Sequence, residues 1–240
     1  MDKLRSFIIL QFFRPSLISL VMNPFFIARN GLYFNIKLLS KYVQGNVLDV
    51  GCGQKPYESL FTNATKYIGL ELNTPENRKN KKADFFYDGI NFPFEKESFD
   101  SIIVNQVLEH VFNPEVFLDN INNVLKVNGT LLLTVPFVWD EHEQPYDYAR
   151  YSSFGLAHLL ENNGFEIIEH CKSVKTIAVV FQLINCYIHK LVNSFHISVK
   201  IVFWIFLCMP FSIIGTILGA ILPDNSDLYL DNIVCAKKMI

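Results

Sequence analysis

An apolar run, VLDV, leads straight into GCGQKPY across residues 47–57. Glycine lets a backbone turn sharply and approach a ligand with no Cβ in the way, so Gly51 and Gly53 form a turn suited to a nucleotide-like group. About 20 residues further on, YIGLELN ends a second apolar run at Glu71. A carboxylate at such a strand end can accept two hydrogen bonds from vicinal ribose hydroxyls. A dinucleotide site wants a third glycine at the helix entrance for the pyrophosphate. Pro56 stands there instead, which favours an adenosyl cofactor without pyrophosphate.

A second concentration of chemistry lies in PFVWDEHEQPYDYARYSSFG, residues 136–155. His142 sits between Glu141 and Glu143, with Trp139, Tyr146, Tyr148 and Tyr151 nearby in the chain. An imidazole can take a proton near neutral pH, and neighbouring carboxylates support its charged form. His142 is therefore the candidate catalytic base, with substrate binding and a structural hydrogen bond as alternatives. Asp147 and Arg150 read as an ion pair shaping the loop, or as a sugar or phosphate contact. His110 reads as structural. No metal ligands are assigned.

The elements that must position these groups alternate. Strands are expected at 47–50, 67–72, 83–87, 99–104, 130–135 and 165–170, with an amphipathic helix over 114–126 whose apolar residues are Val116, Phe117, Ile121, Val124 and Leu125. Asn113 is its expected cap, Pro114 its first residue and Gly129 its stop signal. Such alternation predicts a parallel α/β sheet covered by helices on both faces.

The chain has 240 residues and net charge −2, so no basic excess awaits a phosphate backbone and a nucleic-acid partner is not expected. Half of the residues are apolar, including 22 Phe, which excludes an intrinsically disordered chain. Five cysteines stand apart, which argues against a disulfide framework or a structural zinc site and suits a reducing compartment. The run RKNKK at 78–82 reads as a solvated loop. The N-terminal stretch MDKLRSFIILQFFRPSLISLVMNPFF reads as an amphipathic or interfacial helix rather than a signal peptide. Residues 201–223 carry no charge, the length of a membrane-spanning helix, with Pro210 in the middle.

Five blocks in order, VLDVGCG, GLELN, DGINFPFEKESFD, IIVNQVLEHV and VLKVNGTLLLTVP, make residues 47–137 resemble the class I S-adenosylmethionine-dependent methyltransferases of the type 11-like family. One departure is Lys55, where many members carry a third glycine two residues after Gly53. The resemblance implies that Asp49 braces the glycine loop or reaches the cofactor's amino group. It implies that Gly51, Cys52 and Gly53 pass its methionine portion, that Glu71 holds the ribose hydroxyls with Leu72 beside it, and that Asp88 meets the adenine amino group with Gly89 nearby. Asn105 and Gln106 would line the methionine side, while Phe92 and Phe94 are read as core. The loop pattern H-E-x-P-x-D-x-x-R resembles that of methyltransferases from bacterial polysaccharide and lipid-linked glycan clusters.

The same resemblance implies a Rossmann-like sheet closing in a reversed hairpin, with 165–170 as sixth strand and 228–237 as an antiparallel seventh. Residues 176–223 then form an insertion whose ends must return to one sheet. A single membrane crossing would strand the last strand on the wrong side, and Lys190 makes the first half of the insertion a poor span. The expectation is an in-plane or re-entrant helical hairpin kinked near Pro210. The domains are then 1–45, an N-terminal amphipathic segment; 46–175 with 224–240, the cofactor-binding domain; and 176–223, the apolar insertion. The expected activity is methyl transfer to a hydroxyl of a lipid-linked glycan or other amphiphilic acceptor, on the cytoplasmic face of the cell membrane. The alternatives are a small-molecule or quinone methyltransferase and a non-catalytic cofactor-binding subunit. A homodimer is also possible.

Overall fold

The computed structural model describes residues 12–80 and 82–239. These fall into two compact units. One contains residues 12–35, Val138–Asp140 and Lys172–Asp231; the other contains Ile36–Phe137, Glu141–Cys171 and residues 232–239.

The described residues form a seven-stranded sheet: β1 Gly45–Val50, β2 Ala64–Leu72, β3 Phe85–Tyr87, β4 Phe99–Asn105, β5 Leu125–Pro136, β6 Phe165–Lys175 and β7 Tyr229–Lys238, in the order β3-β2-β1-β4-β5-β7-β6. The first five are parallel. The last pair is antiparallel, with Met239 N–H donating to Gly164 O and Thr176 N–H to Leu228 O. Val47, Leu48 and Val50 are fully buried, as are Ile102, Val104, Leu131 and Leu133, the unbroken apolar runs expected of strands covered on both faces. Register fixes the site. Val50 pairs with Leu70 and with Val104, and Asn105 with Thr134, so β1, β2 and β4 reach their carboxyl ends at one edge.

Of the helices, α1 is Leu17–Met22, α2 Phe26–Leu39, α3 Pro75–Asn80, α4 Pro114–Val124 and α5 Ser153–Asn162. In α4, Phe117, Leu118, Ile121 and Val124 are buried at helical spacing while Val116 faces out. Pro114 opens it as expected, but among the described residues Asn113 gives it no side-chain cap. The helix ends at Val124, not near Gly129. Leu125 is fully buried in extended conformation and pulls the chain into β5 before the glycine is reached.

The N-terminal expectation falls partly on residues 1–11, outside the described residues. Residues 17–39 form two helices, α1 and α2, rather than one. Ser16 and Ser19 cap each other's backbone N–H at the start of α1, and Asn23 ends it. Between β6 and β7 stands the expected helical hairpin, α6 Ile177–Val192 packing against a long arm built from α7 Ile197–Phe203, a π-helical turn Trp204–Cys208 and α8 Met209–Ile221. Pro210 cannot donate to the helix ladder, and the widened turn just before it absorbs the lost bond. Gly215 lets the arms close up, since a Cβ there would collide with the Phe181 side chain. A buried bond from Asn185 Nδ2 to Ser212 Oγ (2.9 Å) fixes their register.

Candidate active site

The glycine turn begins where β1 stops. Gly51 and Cys52 N–H groups both donate to Leu70 O, tying the turn to β2. Gly51 has φ +68°, and a Cβ on it would run into the Val107 side chain. Strain and collision together predict that Gly51→Ala lowers stability by about 1–3 kcal/mol, measurable by urea denaturation. Gly53 N–H donates to Glu71 Oε2 at 3.0 Å.

Lys55, where a third glycine is common, adopts the glycine-like φ of +52°. Its N–H donates to Cys52 O (2.8 Å) and its ammonium to Asp84 Oδ2 (2.6 Å). The same Asp84 oxygen accepts from Gly69 N–H at 2.7 Å. Burial pushes the Asp84 carboxyl up, but these two donors outweigh it and hold it below the usual carboxylate range. The Lys55–Asp84 clamp thus ties the turn to the start of β3 through Asp84.

Glu71, at the end of β2, is buried. Besides Gly53, its carboxylate accepts from Leu72 N–H (3.2 Å) and Asn77 Nδ2 (3.5 Å). Leu72 beside it is exposed. Asp49 lies buried behind the turn and accepts from the Tyr67 hydroxyl at 2.8 Å. Burial raises its carboxyl to about 7, against the lowering effect of the Tyr67 bond. Cys52 is buried too, and that pushes its thiol up to about 12. Asp88 Oδ1 accepts from the N–H groups of Ile90 and Asn91, both at 2.8 Å, around Gly89 at φ +90°. This leaves Oδ2 with capacity to accept from a ligand amino group. At the end of β4, Asn105 Oδ1 accepts from the Thr134 hydroxyl, and Gln106, at φ +55°, donates its backbone and side-chain N–H to the same residue. Both side chains are thereby braced on β5. Phe92 belongs to the core, edge-on to Tyr87 and Phe117, and Phe94 packs against it.

The β4 turn continues through Val107, which packs on Gly51, into a 3₁₀ turn Leu108–His110. There the fold brings together residues that the sequence reading kept apart. Glu109, to which that reading gave no role, is completely buried, and His110, read as structural, faces it with Nε2 3.8 Å from Glu109 Oε1. His142 Nε2 lies 4.0 Å from the same oxygen, and the two imidazole rings are 4.8 Å apart. Two acids distant from it in the chain or across the loop, Glu109 and Asp147 (3.3 Å from Nδ1), are placed against His142. Asp147 and Arg150 form the expected ion pair, bidentate at 2.6 Å, and Arg150 holds the Asp147 carboxyl down at about 2. Tyr148 N–H donates to Glu109 O, and Tyr151 packs on the core; Trp139 instead joins the other unit, beside Phe25. The signal for this cluster was an acid–histidine pair just past a parallel strand with a second histidine in the next strand-end loop.

A turn that excludes a Cβ, an N–H and carboxylate pair at Gly53 and Glu71, and an acceptor at Asp88 suit an adenosyl cofactor with ribose hydroxyls and an amino group. A family model described as a methyltransferase domain matches residues 27–170. The chain belongs to that family, the class I S-adenosylmethionine-dependent methyltransferases, and its cofactor is S-adenosylmethionine.

An uncharacterised protein of Methanocaldococcus jannaschii is 32% identical over 126 residues, 50% of this chain and 54% of the relative. The mitochondrial ubiquinone biosynthesis O-methyltransferase of Dictyostelium discoideum is 29% identical over 110 residues, 37% of this chain and 34% of the relative. The matched region thus spans about half or less of these curated relatives. Among solved structures, the 4+2 cyclase SpnF superposes with TM-score 0.56 at 17% identity, covering 87% of this chain and 81% of that one. The phosphoethanolamine N-methyltransferase 2 of Haemonchus contortus, solved with phosphomonomethylethanolamine and S-adenosylhomocysteine, gives 0.52 at 18% identity, covering 86% and 53%. At these identities the structures speak for the fold.

Proposed function

We propose that this protein transfers a methyl group from S-adenosylmethionine to a hydroxyl of an amphiphilic acceptor, such as a lipid-linked glycan, at the cytoplasmic face of the cell membrane. The observation that carries methyl transfer is the Glu71–Gly53 pair at the shared carboxyl edge of β1 and β2. When bound, S-adenosylmethionine supplies a methyl group already activated by its sulfonium sulfur. The chain's own residues then bind, orient and keep out water, and such positioning supplies about 7–11 kcal/mol. Glu71 and Asp88 are the acceptors that orient the nucleoside. The cluster of Glu109, His110 and His142, one turn beyond Val107, activates the hydroxyl of the methyl acceptor.

An amphiphilic acceptor is supported by the other unit. Leu17, Tyr187, Leu191, Phe206, Ile217 and Ile221 are all more than half exposed. The arm Ile197–Ile221 is long and apolar enough to cross a membrane, with only 22% of its most apolar window buried. Both ends of the hairpin continue into antiparallel strands of one sheet, so the arms lie in or dip into one leaflet. The relative from ubiquinone biosynthesis fits the same class of acceptor.

Charges placed on the exposed face test this. The wild-type chain is expected to float with vesicles of mixed neutral and anionic phospholipid, whereas Phe206→Glu/Ile217→Glu remains at the bottom of the gradient with unchanged S-adenosylhomocysteine affinity. Equal flotation of the two overturns the membrane reading. Transfer of a labelled methyl group to the organic phase of a lipid extract supports the acceptor class; label appearing only in water-soluble products assigns a small-molecule acceptor instead.

A further inference from the structure

We infer that Glu109, His110 and His142 form a binding site for a divalent transition-metal cation, with one or more coordination positions open to the acceptor hydroxyl. The three ligand atoms lie within 4.8 Å of one another. A tetrahedral ion with bonds near 2.1 Å sets its donors about 3.4 Å apart, so the 3.8 and 4.0 Å spacings to Glu109 Oε1 close by about half an ångström and the imidazole nitrogens, within 4.8 Å of each other, turn inward by up to about 1.4 Å.

The outer nitrogens fix the inner ones. His110 Nδ1 lies 2.8 Å from Tyr146 O, and a carbonyl only accepts, so the proton is on Nδ1 and the Nε2 lone pair faces Glu109. Asp147 is held ionised by two Arg150 bonds, so it too only accepts. His142 Nδ1 lies 3.3 Å from that carboxylate, and with its proton turned there the Nε2 electron pair would face Glu109. Arg150 Nη2, 3.5 Å from that Nδ1, directs its short bond to Asp147 instead. An imidazole whose far N–H is anchored on a carbonyl or carboxylate is the arrangement that orients metal-bound histidines.

Glu109 is shielded from water, which strengthens its pull on a cation. Two imidazoles and one carboxylate favour Zn²⁺, Co²⁺ or Mn²⁺ over Mg²⁺, and three protein ligands leave room for an exchangeable oxygen. His142 on this reading is a ligand rather than a free base.

The role of the cation rests on the methyl-transfer reading, while its binding does not. The acceptor hydroxyl, bound through oxygen to the cation, gives its proton to bulk water at a lowered pKa. That oxygen's electron pair then forms the O–CH₃ bond as the C–S bond breaks, and the sulfur keeps the bonding pair as a neutral thioether.

The test uses the full chain stripped with EDTA and titrated with Co²⁺ alone, followed by visible absorption, and with Zn²⁺ alone by calorimetry. One equivalent is expected to bind, with imidazole-type d–d bands. His142→Ala, at a partly exposed position, should weaken binding at least 10-fold, Glu109→Gln similarly, and neither should change S-adenosylhomocysteine affinity. Absence of stoichiometric Co²⁺ and Zn²⁺ binding, or binding untouched by both substitutions, overturns the site. Binding without methyl transfer to any acceptor leaves the site standing and overturns the functional reading. Transfer that survives chelation in a chain that binds no cation does the reverse.

Discussion

Glu71→Ala weakens S-adenosylhomocysteine binding by about 10²–10⁴-fold, because hydrogen bonds to a charged group are worth about 1.5–3 kcal/mol each and two ribose hydroxyls lose theirs together. The loss has a second part within the protein. In the folded chain Glu71 Oε2 is the acceptor for Gly53 N–H, so the carboxylate also sets the shape of the turn whose Gly51 packs on Val107. Glu71→Gln keeps one accepting oxygen and should lose only about 10-fold. Asn77, 3.5 Å away, is too distant to substitute. The exposed acid Glu76 on α3 serves as control, and its alanine variant should bind as wild type does. Isothermal titration of the three variants decides the matter. Binding by Glu71→Ala within twofold of wild type would remove the ribose assignment, and with it the reason for placing the cofactor at this edge.

That edge was legible because its signals are local. An unbroken apolar run into Gly51, and a second run ending in Glu71, already state two parallel strands stopping together. Elsewhere the deciding contact is remote in sequence. Gly129 carries a genuine stop signal, yet Leu125 leaves the helix first, because its side chain is buried in the sheet. Lys55 reads as a departure from the glycine pattern until Asp84, 29 residues on, supplies the ion pair that holds its left-handed backbone.

The acceptor side was the hardest to read. Charge adjacency in the chain pointed His142 at Glu141 and Glu143 and gave no sign of the acids that the fold adds. The fold brings Asp147 back within five residues and Glu109 from the preceding strand end. A buried acid has no periodicity to announce it. The hairpin was readable as apolar sequence constrained by topology, but the π turn Trp204–Cys208 depends on how the helix accommodates Pro210.

Asp49→Asn makes the ligand-free protein more stable, and increasingly so as pH rises from 5 to 8. Asp49 titrates near 3.8 when exposed and near 7 in the folded chain, where burial disfavours its charge. Between those values the folded state keeps a proton that the unfolded chain has released. Stability therefore falls with rising pH across that window, at about 1.4 kcal/mol per unit, and levels off above pH 7. The full effect is about 4 kcal/mol, of which roughly 2–3 kcal/mol falls between pH 5 and pH 8. The amide of asparagine still accepts from the Tyr67 hydroxyl but never ionises, so the variant lacks this slope. Urea denaturation at pH 5, 6.5 and 8 measures the difference between the two proteins at each pH. A difference that stays constant, or shrinks toward pH 8, would mean that Asp49 is charged throughout. The site would then hold a fixed anion behind the glycine turn, not a carboxyl that gives up its proton near neutrality.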